Sequence, residues 1–529
     1  MVGLAFQPYH LWPLAYVGLI AFPLTLLSIR WRTALLRGYC FGVGLFVVSV
    51  PWMAVLGWWV AAALIAVVSL WYGIVAVVIA LAHRTPWWPL AATGAWLAME
   101  WVSSRFPIGG FGWVRLGYTA VGTPLDGLFP LVTISGVSAA IVALCFTIAS
   151  LIDRMFLGTM VRRTAAEPGE APSLALNIDT TGRWRHFVPT VAVIVVCVIL
   201  SAAGFHDNPA PTGQTVNIGI VQGNVPGSGI DAIGRARTIT NNHLAETIAL
   251  AAKIATGEAT QPDFLVWPEN ATDLDPTRDA ATKQAVDVSL AIAGVPILVG
   301  AVTLGPGDNE RQTTGLWYET DGTITATYHK RNLVPFGEWI PLRSFFLPLF
   351  PILQKAGAQS VPGTTPGVFS VAVGGQPLRV GDLVCFELAY DATFDEMLHG
   401  DATTGGGAQV VVVQTNNSTY TYTGQMAQQD AITQARAMEA RREIAVATTN
   451  SLAGLILPDG THAWQATERV AMSTVVTLPL RTELTPAVRF RGWIDAALIV
   501  VPLLVWAVAL VIGVASGVPR RTGVRAVRQ

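Results

Sequence analysis

Three short segments of the 529-residue chain place an ionisable group directly after an apolar, strand-like run. Phe264-Leu265-Val266-Trp267-Pro268-Glu269 stops on a proline and a carboxylate. Tyr328-His329-Lys330 delivers an ammonium and runs on through Leu333-Val334-Pro335-Phe336-Gly337 to a second acid, Glu338. Gly381-Asp382-Leu383-Val384-Cys385-Phe386-Glu387 delivers a thiol, with a third acid two residues later. Strand ends are where an α/β sheet presents ligands and catalytic groups. A thiol attacks as the thiolate and needs a base at neutral pH, a part open to Glu269. An ammonium such as Lys330 can hold the charge of a developing oxyanion, helped by the backbone N–H after Cys385. Taken singly, each residue has a plainer reading: a capping acid, a solvated charge, an inert core thiol.

The other three cysteines, Cys40, Cys145 and Cys197, lie inside long apolar runs, so no disulfide framework is expected. His243, His399 and His462 are scattered without metal-ligand spacing, and no metal is expected. His329 adjoins Lys330, but neighbours on an extended strand point to opposite faces.

The elements that must position these groups follow from composition. Hydrophobic residues make up 52% and charged residues 13% of the chain, about half the roughly 25% charge of an average soluble protein. Dominant disorder is excluded, and a net charge of −1 gives no electrostatic footprint for nucleic acid. Apolar runs near membrane-span length occupy 12–29, 35–56, 59–82, 87–103, 128–152, 187–205 and 493–516. Residues 1–6 read as the stub of another helix. The expected organisation is a transmembrane helical bundle over 1–205 with about six spans, a polar block over 206–492, a last span over 493–516 and a basic tail over 517–529. Arg30, Arg32, Arg37, Arg84, Arg154, a polar loop over 162–185 and the tail hold most basic residues near the spans, against Arg105 and Arg115 on the other side. The positive-inside rule makes the first set cytoplasmic and the polar block extracytoplasmic. Glu100, near the outer end of the fourth run, reads as a partner of Arg105 or Arg115, or as a functional intramembrane acid.

The polar block reads as α/β. Strands are expected at 216–222, 264–267, 297–302, 378–384, 410–414 and 444–448, with amphipathic helices at 235–256, 280–293 and 424–442. Asp321-Gly322 and Asp459-Gly460 are hairpin signals.

Glu269, Lys330 and Cys385, each after a strand and in this order, resemble the nitrilase (carbon–nitrogen hydrolase) superfamily over about 215–478. With the flanking helices, the Leu4-Ala5-Phe6-Gln7-Pro8-Tyr9 stretch and the segment from Phe106-Pro107 to Tyr118, nearly the whole chain is similar to the bacterial apolipoprotein N-acyltransferases. That resemblance implies a polytopic membrane bundle carrying an extracytoplasmic four-layer αββα sandwich. It implies ping-pong acyl transfer without a cofactor: a phospholipid donor acylates Cys385, and the thioester acylates the α-amine of a diacylglyceryl-modified apolipoprotein. Glu338 would then orient Lys330, and Glu387 would support the cysteine turn. Asn416, opening the Asn416–Tyr420 segment, would stand in the pocket wall. Trp339 belongs to an apolar, proline-rich segment, 336–353, that reads as a greasy opening and mobile lid, or as core beneath a loop. The chain departs from the family at Phe386, where tyrosine is common and a hydroxyl contact is lost. It departs again at 227–231, where a tryptophan is usual. The alternatives are a membrane-tethered amidase acting on a small amide, and a non-catalytic scaffold.

Overall fold

The computed structural model describes residues 1–157 (84 and 86 excepted), 187–225, 237–349 and 357–515. The loop at 162–185, the departure at 227–231, the end of the apolar segment at 350–353 and the tail at 517–529 lie outside the described residues.

The apolar runs before the polar block fold as helices α1 (Pro13–Leu24), α2 (Trp31–Ser49), α3 (Trp58–Ala82), α4 (Trp88–Ser103), α5 (Phe129–Ile152) and α6 (Val188–His206). The expected stub is a single buried 3-10 turn, Val2–Ala5. Helix α1 is shorter than expected, and α2 stops because Pro51 disfavours the helical conformation at the preceding Val50, which lies at φ −126, so that Pro51–Leu56 forms a separate 3-10 turn. Gly38 lets α2 and α3 touch: a Cβ there would lie 2.3 Å from Tyr72 O. Among the described residues, Trp58–Ala82, Asp126–Met155, Val188–His206 and Pro486–Val508 are long and apolar enough to cross a membrane.

The polar block begins with β1 (Thr215–Gln222), α7 (Thr238–Ala255), β2 (Phe264–Thr272), α8 (Ala280–Ala293), β3 (Ile297–Leu304), β4 (Glu310–Tyr318) and β5 (Ile324–His329). It continues with α9 (Arg343–Leu349), β6 (Gln359–Ser360), β7 (Val368–Val373), β8 (Gln376–Val384), α10 (Asp391–His399), β9 (Val410–Thr415) and α11 (Gln425–Ala440). Strands β10 (Ile444–Thr448), β11 (Gly454–Ile456), β12 (His462–Gln465) and β13 (Met472–Pro479) precede α12 (Pro486–Ala515). One sheet runs β13-β1-β2-β3-β4-β5 with β6 beside β4, and the other runs β12-β11-β10-β9-β8-β7. Both expected hairpins form: Asp321 and Asp459 each accept from the threonine two residues on, Thr323 N and Thr461 N, at 2.9 Å.

Strand alternation sorts the side chains into layers. Ile218, Ile220, Val266, Val380, Val410 and Val412 meet between the sheets. Leu265, Trp267 and Val299 face the other way, onto Leu250 of α7 and Val286 and Leu290 of α8. Leu383, Val411 and Val413 face outward onto Phe394 of α10 and Ile432 and Met438 of α11, in a core continuous with Phe46, Trp52 and Phe129 of the helical bundle. The arrangement is an αββα sandwich whose second outer layer is packed against the bundle. Helix α12 starts at Pro486, seven residues before the expected span, because the Arg491 guanidinium is received by the half-buried Asp395 at 2.6 Å and the buried Glu439 at 2.9 Å.

Candidate active site

Three strand ends converge. In β2 the pairing with β3 becomes irregular between Trp267 and Thr272, and Asn270 adopts φ +53. Such a bulge re-aims a side chain, here Glu269. Only glycine fits opposite: a Cβ on Gly300 would lie 2.1 Å from Pro268 O. Pairing of Thr314 with His329 fixes the end of β5, and Lys330 follows it. Cys385 follows β8 at φ +53 and opens the 3-10 turn Cys385–Ala389. A non-glycine residue in this region is uncommon and marks a sharp strand-to-helix turn that pushes its side chain outward.

Lys330 is buried, and its Nζ donates to Glu269 Oε1 at 2.9 Å and Glu338 Oε1 at 3.1 Å. The other Glu269 oxygen accepts from Asn416 N at 2.9 Å. Glu338 Oε2 accepts from Val334 N at 2.6 Å, which closes the loop after Lys330 upon itself. The Cys385 thiol is partly exposed. Its Sγ lies 3.9 Å from Asn417 Oδ1 and 3.8 Å from Gln429 Oε1, and both Glu269 and Lys330 act on it electrostatically.

Burial opposes the Lys330 ammonium, but Glu269 and Glu338 outweigh it and hold its pKa well above the usual value. Burial pushes the Cys385 thiol up, Glu269 adds to this and Lys330 opposes it. The resting sulfur is therefore protonated and needs a base in contact. Burial also pushes Glu269 up, against the pull of Lys330. A carboxylate with a raised pKa is a stronger base.

Glu387 is buried beneath the turn and receives four donors. Val384 N reaches it at 2.8 Å, Arg331 N at 2.6 Å, Asn332 N at 3.2 Å and the Tyr328 hydroxyl at 2.8 and 3.0 Å. It ties the segment leaving Lys330 to the turn that presents Cys385. Phe386 stacks on Trp113 of the bundle with ring centroids 5.7 Å apart. The structure thus brings Glu269, Lys330, Cys385, Glu338, Asn416, Glu387 and Phe386 together. Trp339 lies partly exposed beyond Glu338, its carbonyl accepting from Phe336 N at 2.7 Å. The apolar segment holds a short helix, α9, rather than loop throughout. His329 pairs with Thr314 Oγ1 at 3.0 Å.

Among the described residues Glu100 takes no ion pair. Its Oε1 accepts from Trp96 Nε1 and Leu116 N, each at 3.1 Å, while Arg115 pairs with Asp391 at 2.9 Å and Arg105 lies 4.0 Å from it. Gln429, Asn417 and Tyr328 touch the site although residue-type reasoning gave them no individual role. A signal existed for the first: Gln425, Gln428 and Gln429 form an i, i+3, i+4 set that is buried on α11.

The chain is similar to known proteins over nearly its whole length. Residues 1–147 match the Apolipoprotein N-acyltransferase N-terminal domain family, and residues 219–477 match the Carbon-nitrogen hydrolase family. An apolipoprotein N-acyltransferase of Mycolicibacterium smegmatis is 31% identical over 519 residues, covering 96% of this chain and 83% of the relative. One of Azotobacter vinelandii is 27% identical, covering 96% and 92%. A solved amidase from Nesterenkonia sp. aligns with 53% of this chain and 96% of its own at 18% identity and a TM-score of 0.36. With both halves matched in order and 96% of this chain aligned with a relative 31% identical to it, the chain belongs to the apolipoprotein N-acyltransferase family.

Proposed function

We propose that this chain moves a fatty acyl chain from a membrane phospholipid, through a thioester on Cys385, to the α-amine of a diacylglyceryl-cysteine apolipoprotein. The observation that carries the reading is the convergence of Glu269, Lys330 and Cys385, with Lys330 Nζ 2.9 Å from Glu269, in a member of this family. Glu269 takes the thiol proton as Sγ attacks the ester carbonyl, and the oxyanion forms beside the Lys330 ammonium. The carbon–oxygen bond to the glycerol breaks, and Glu269 returns the proton to the leaving alkoxide. In the second half the amine attacks the thioester, Glu269 accepts its proton, and the sulfur leaves and is reprotonated. Glu338 orients Lys330, Glu387 holds the turn, and Asn416 N steadies the base.

The long apolar helices of the bundle and the last helix support chemistry carried out at a bilayer. Each methylene lifted into water costs about 0.8 kcal/mol, so raising a long acyl chain clear of the membrane costs on the order of 10 kcal/mol. An opening near the membrane avoids that cost. Residues 336–349, with Leu342 71% exposed, are the proposed apolar rim, and the distribution of arginines supports an extracytoplasmic polar block over 206–492. A tethered amidase would leave the helices and the rim without a use.

The test is the intact mass of a diacylglyceryl reporter peptide after incubation with the protein and a labelled phospholipid. Expected is a gain of one acyl chain, preceded by a hydroxylamine-sensitive label on the protein. Ammonia release from small amides without any mass gain would favour the amidase. The pH profile gives a second expectation. The base form of Glu269 is required and burial raises its pKa, so thioester formation in single turnovers is expected to fall as pH drops through a value above the ordinary carboxylate range. A rate that holds steady down to about pH 4, near the unperturbed value, would contradict Glu269 as base.

A further inference from the structure

Helix α11 looks two ways. Gln429 faces the nucleophile, with Oε1 3.8 Å from Cys385 Sγ and Nε2 donating to Thr415 Oγ1 at 2.6 Å. Its neighbour Gln428 faces the bundle. Gln428 Oε1 accepts from Trp52 Nε1 at 2.9 Å and Trp113 Nε1 at 3.0 Å. Its Nε2 donates to Ser49 O at 2.6 Å and Gln7 O at 2.8 Å. A primary amide has two donor hydrogens and two acceptor lone pairs, so this one buried side chain is saturated. All four partners are at least 315 positions away in sequence.

Those partners are not passive. Trp113 stacks on Phe386, the residue after the thiol, at 5.7 Å. Trp52 packs edge-on against Trp113 at 6.0 Å and Tyr420 at 5.3 Å. One amide therefore holds the aromatic wall on which the nucleophile's neighbour leans, and holds the helix whose next residue faces the sulfur.

We infer that Gln428 is a positioning residue: through Trp113 and Phe386 on one side and Gln429 on the other, it sets the attitude of the Cys385 thiol from the helical bundle. The inference rests on Cys385 as the acylated sulfur, and its test keeps the two apart. In the full-length protein in lipid–detergent micelles, the rate of iodoacetamide alkylation at Cys385 is followed against pH by peptide mass spectrometry. Single-turnover thioester formation from a phospholipid is measured beside it.

Gln428→Ala is expected to slow thioester formation by about 10-fold or more, on the scale of losses from small misplacements of reacting groups, and to shift the alkylation profile. Trp113→Phe removes one donor but keeps a smaller aromatic ring against Phe386, and is expected to shift both readouts in the same direction by less. The double variant is expected to be no worse than Gln428→Ala, since residues acting as a unit are not additive. Additive losses, or alkylation at the wild-type rate and pH dependence in both single variants, would overturn the inference. Should Gln428→Ala fail to fold, Trp113→Phe alone decides it. A wild-type protein that never forms a thioester would sink the reading of the reaction, while the alkylation profiles would still judge Gln428.

Discussion

Cys385→Ala is expected to remove acyl transfer to the reporter peptide by at least about 10,000-fold, the scale seen when a covalent nucleophile is deleted. The protein should still fold. The thiol is partly exposed and its contacts with Asn417 and Gln429 are long, at 3.9 and 3.8 Å, so its loss leaves no strong buried hydrogen bond unmade. The turn itself is held from beneath by Glu387, whose bonds to Val384 N and Arg331 N do not involve the sulfur. The variant should therefore keep the wild-type Tm in micelles while losing both the mass gain and the hydroxylamine-sensitive label. Cys145→Ala supplies the contrast: that thiol is buried on α5, packed in the bundle core, and its removal should leave the labelling intact. Residual transfer above about 1% of wild type in Cys385→Ala would place the nucleophile elsewhere, since deleting a true one leaves far less.

The three strand ends were legible because each is a local event. An apolar run and an ionisable residue within seven positions need no knowledge of distant partners. Strands β1, β9 and β10 were legible for the same reason, being β-branched runs buried on both faces. What escaped depends on partners far away in sequence. The hairpin signal at Asp321-Gly322 marks the end of strand β4, but its opening, Glu310-Arg311-Gln312, looks like loop, although the strand pairs with β3 from Ile297 to Leu304. Helix α10 is a nine-residue segment with three acids, and its first, Asp391, is stable inside only because Arg115 and Arg436 meet it. The same carboxylate explains why Glu100 lacks a basic partner: Arg115, near in sequence, is taken by a residue 276 positions on. Gln428 and Gln429 read as the polar side of an amphipathic helix, because the sequence alone does not reveal that this side is covered by the bundle.

The largest expected loss of stability belongs to Asp391. Its carboxylate accepts from Arg115 Nη1 at 2.9 Å and from Arg436 Nη2 at 2.8 Å, with Arg491 Nη1 at 3.6 Å. Arg436 also meets Glu439 at 2.6 Å, and Arg491 meets Glu439 at 2.9 Å and Asp395 at 2.6 Å. Those six side chains carry three positive and three negative charges. Asp391→Asn would leave one guanidinium's worth of charge uncompensated in the interior, which costs about 3–5 kcal/mol, or a fall in Tm of roughly 5–15 °C. Burial opposes the Asp391 carboxylate, but Arg115, Arg436 and Arg491 outweigh it and hold its pKa far below the usual range. The sign follows from that depression: the contribution is complete above the unfolded carboxylate pKa near 4 and fades only as pH falls through the lower, folded value. Although Asp395 in the same network is pushed up to about 7 by burial, the gap in Tm between wild type and Asp391→Asn is expected to persist down to about pH 4 and to close only in stronger acid. Arg237→Ala tests whether distance or burial decides. Its pair with Asp279 is also 2.8 Å long but solvent-exposed, so Tm should barely move. Activity should follow stability at Asp391, because Arg436 also donates from Nε to Leu388 O at 2.9 Å. That carbonyl lies in the turn that begins at Cys385, so a guanidinium pulled out of place by its lost partner pulls on the backbone beneath the nucleophile.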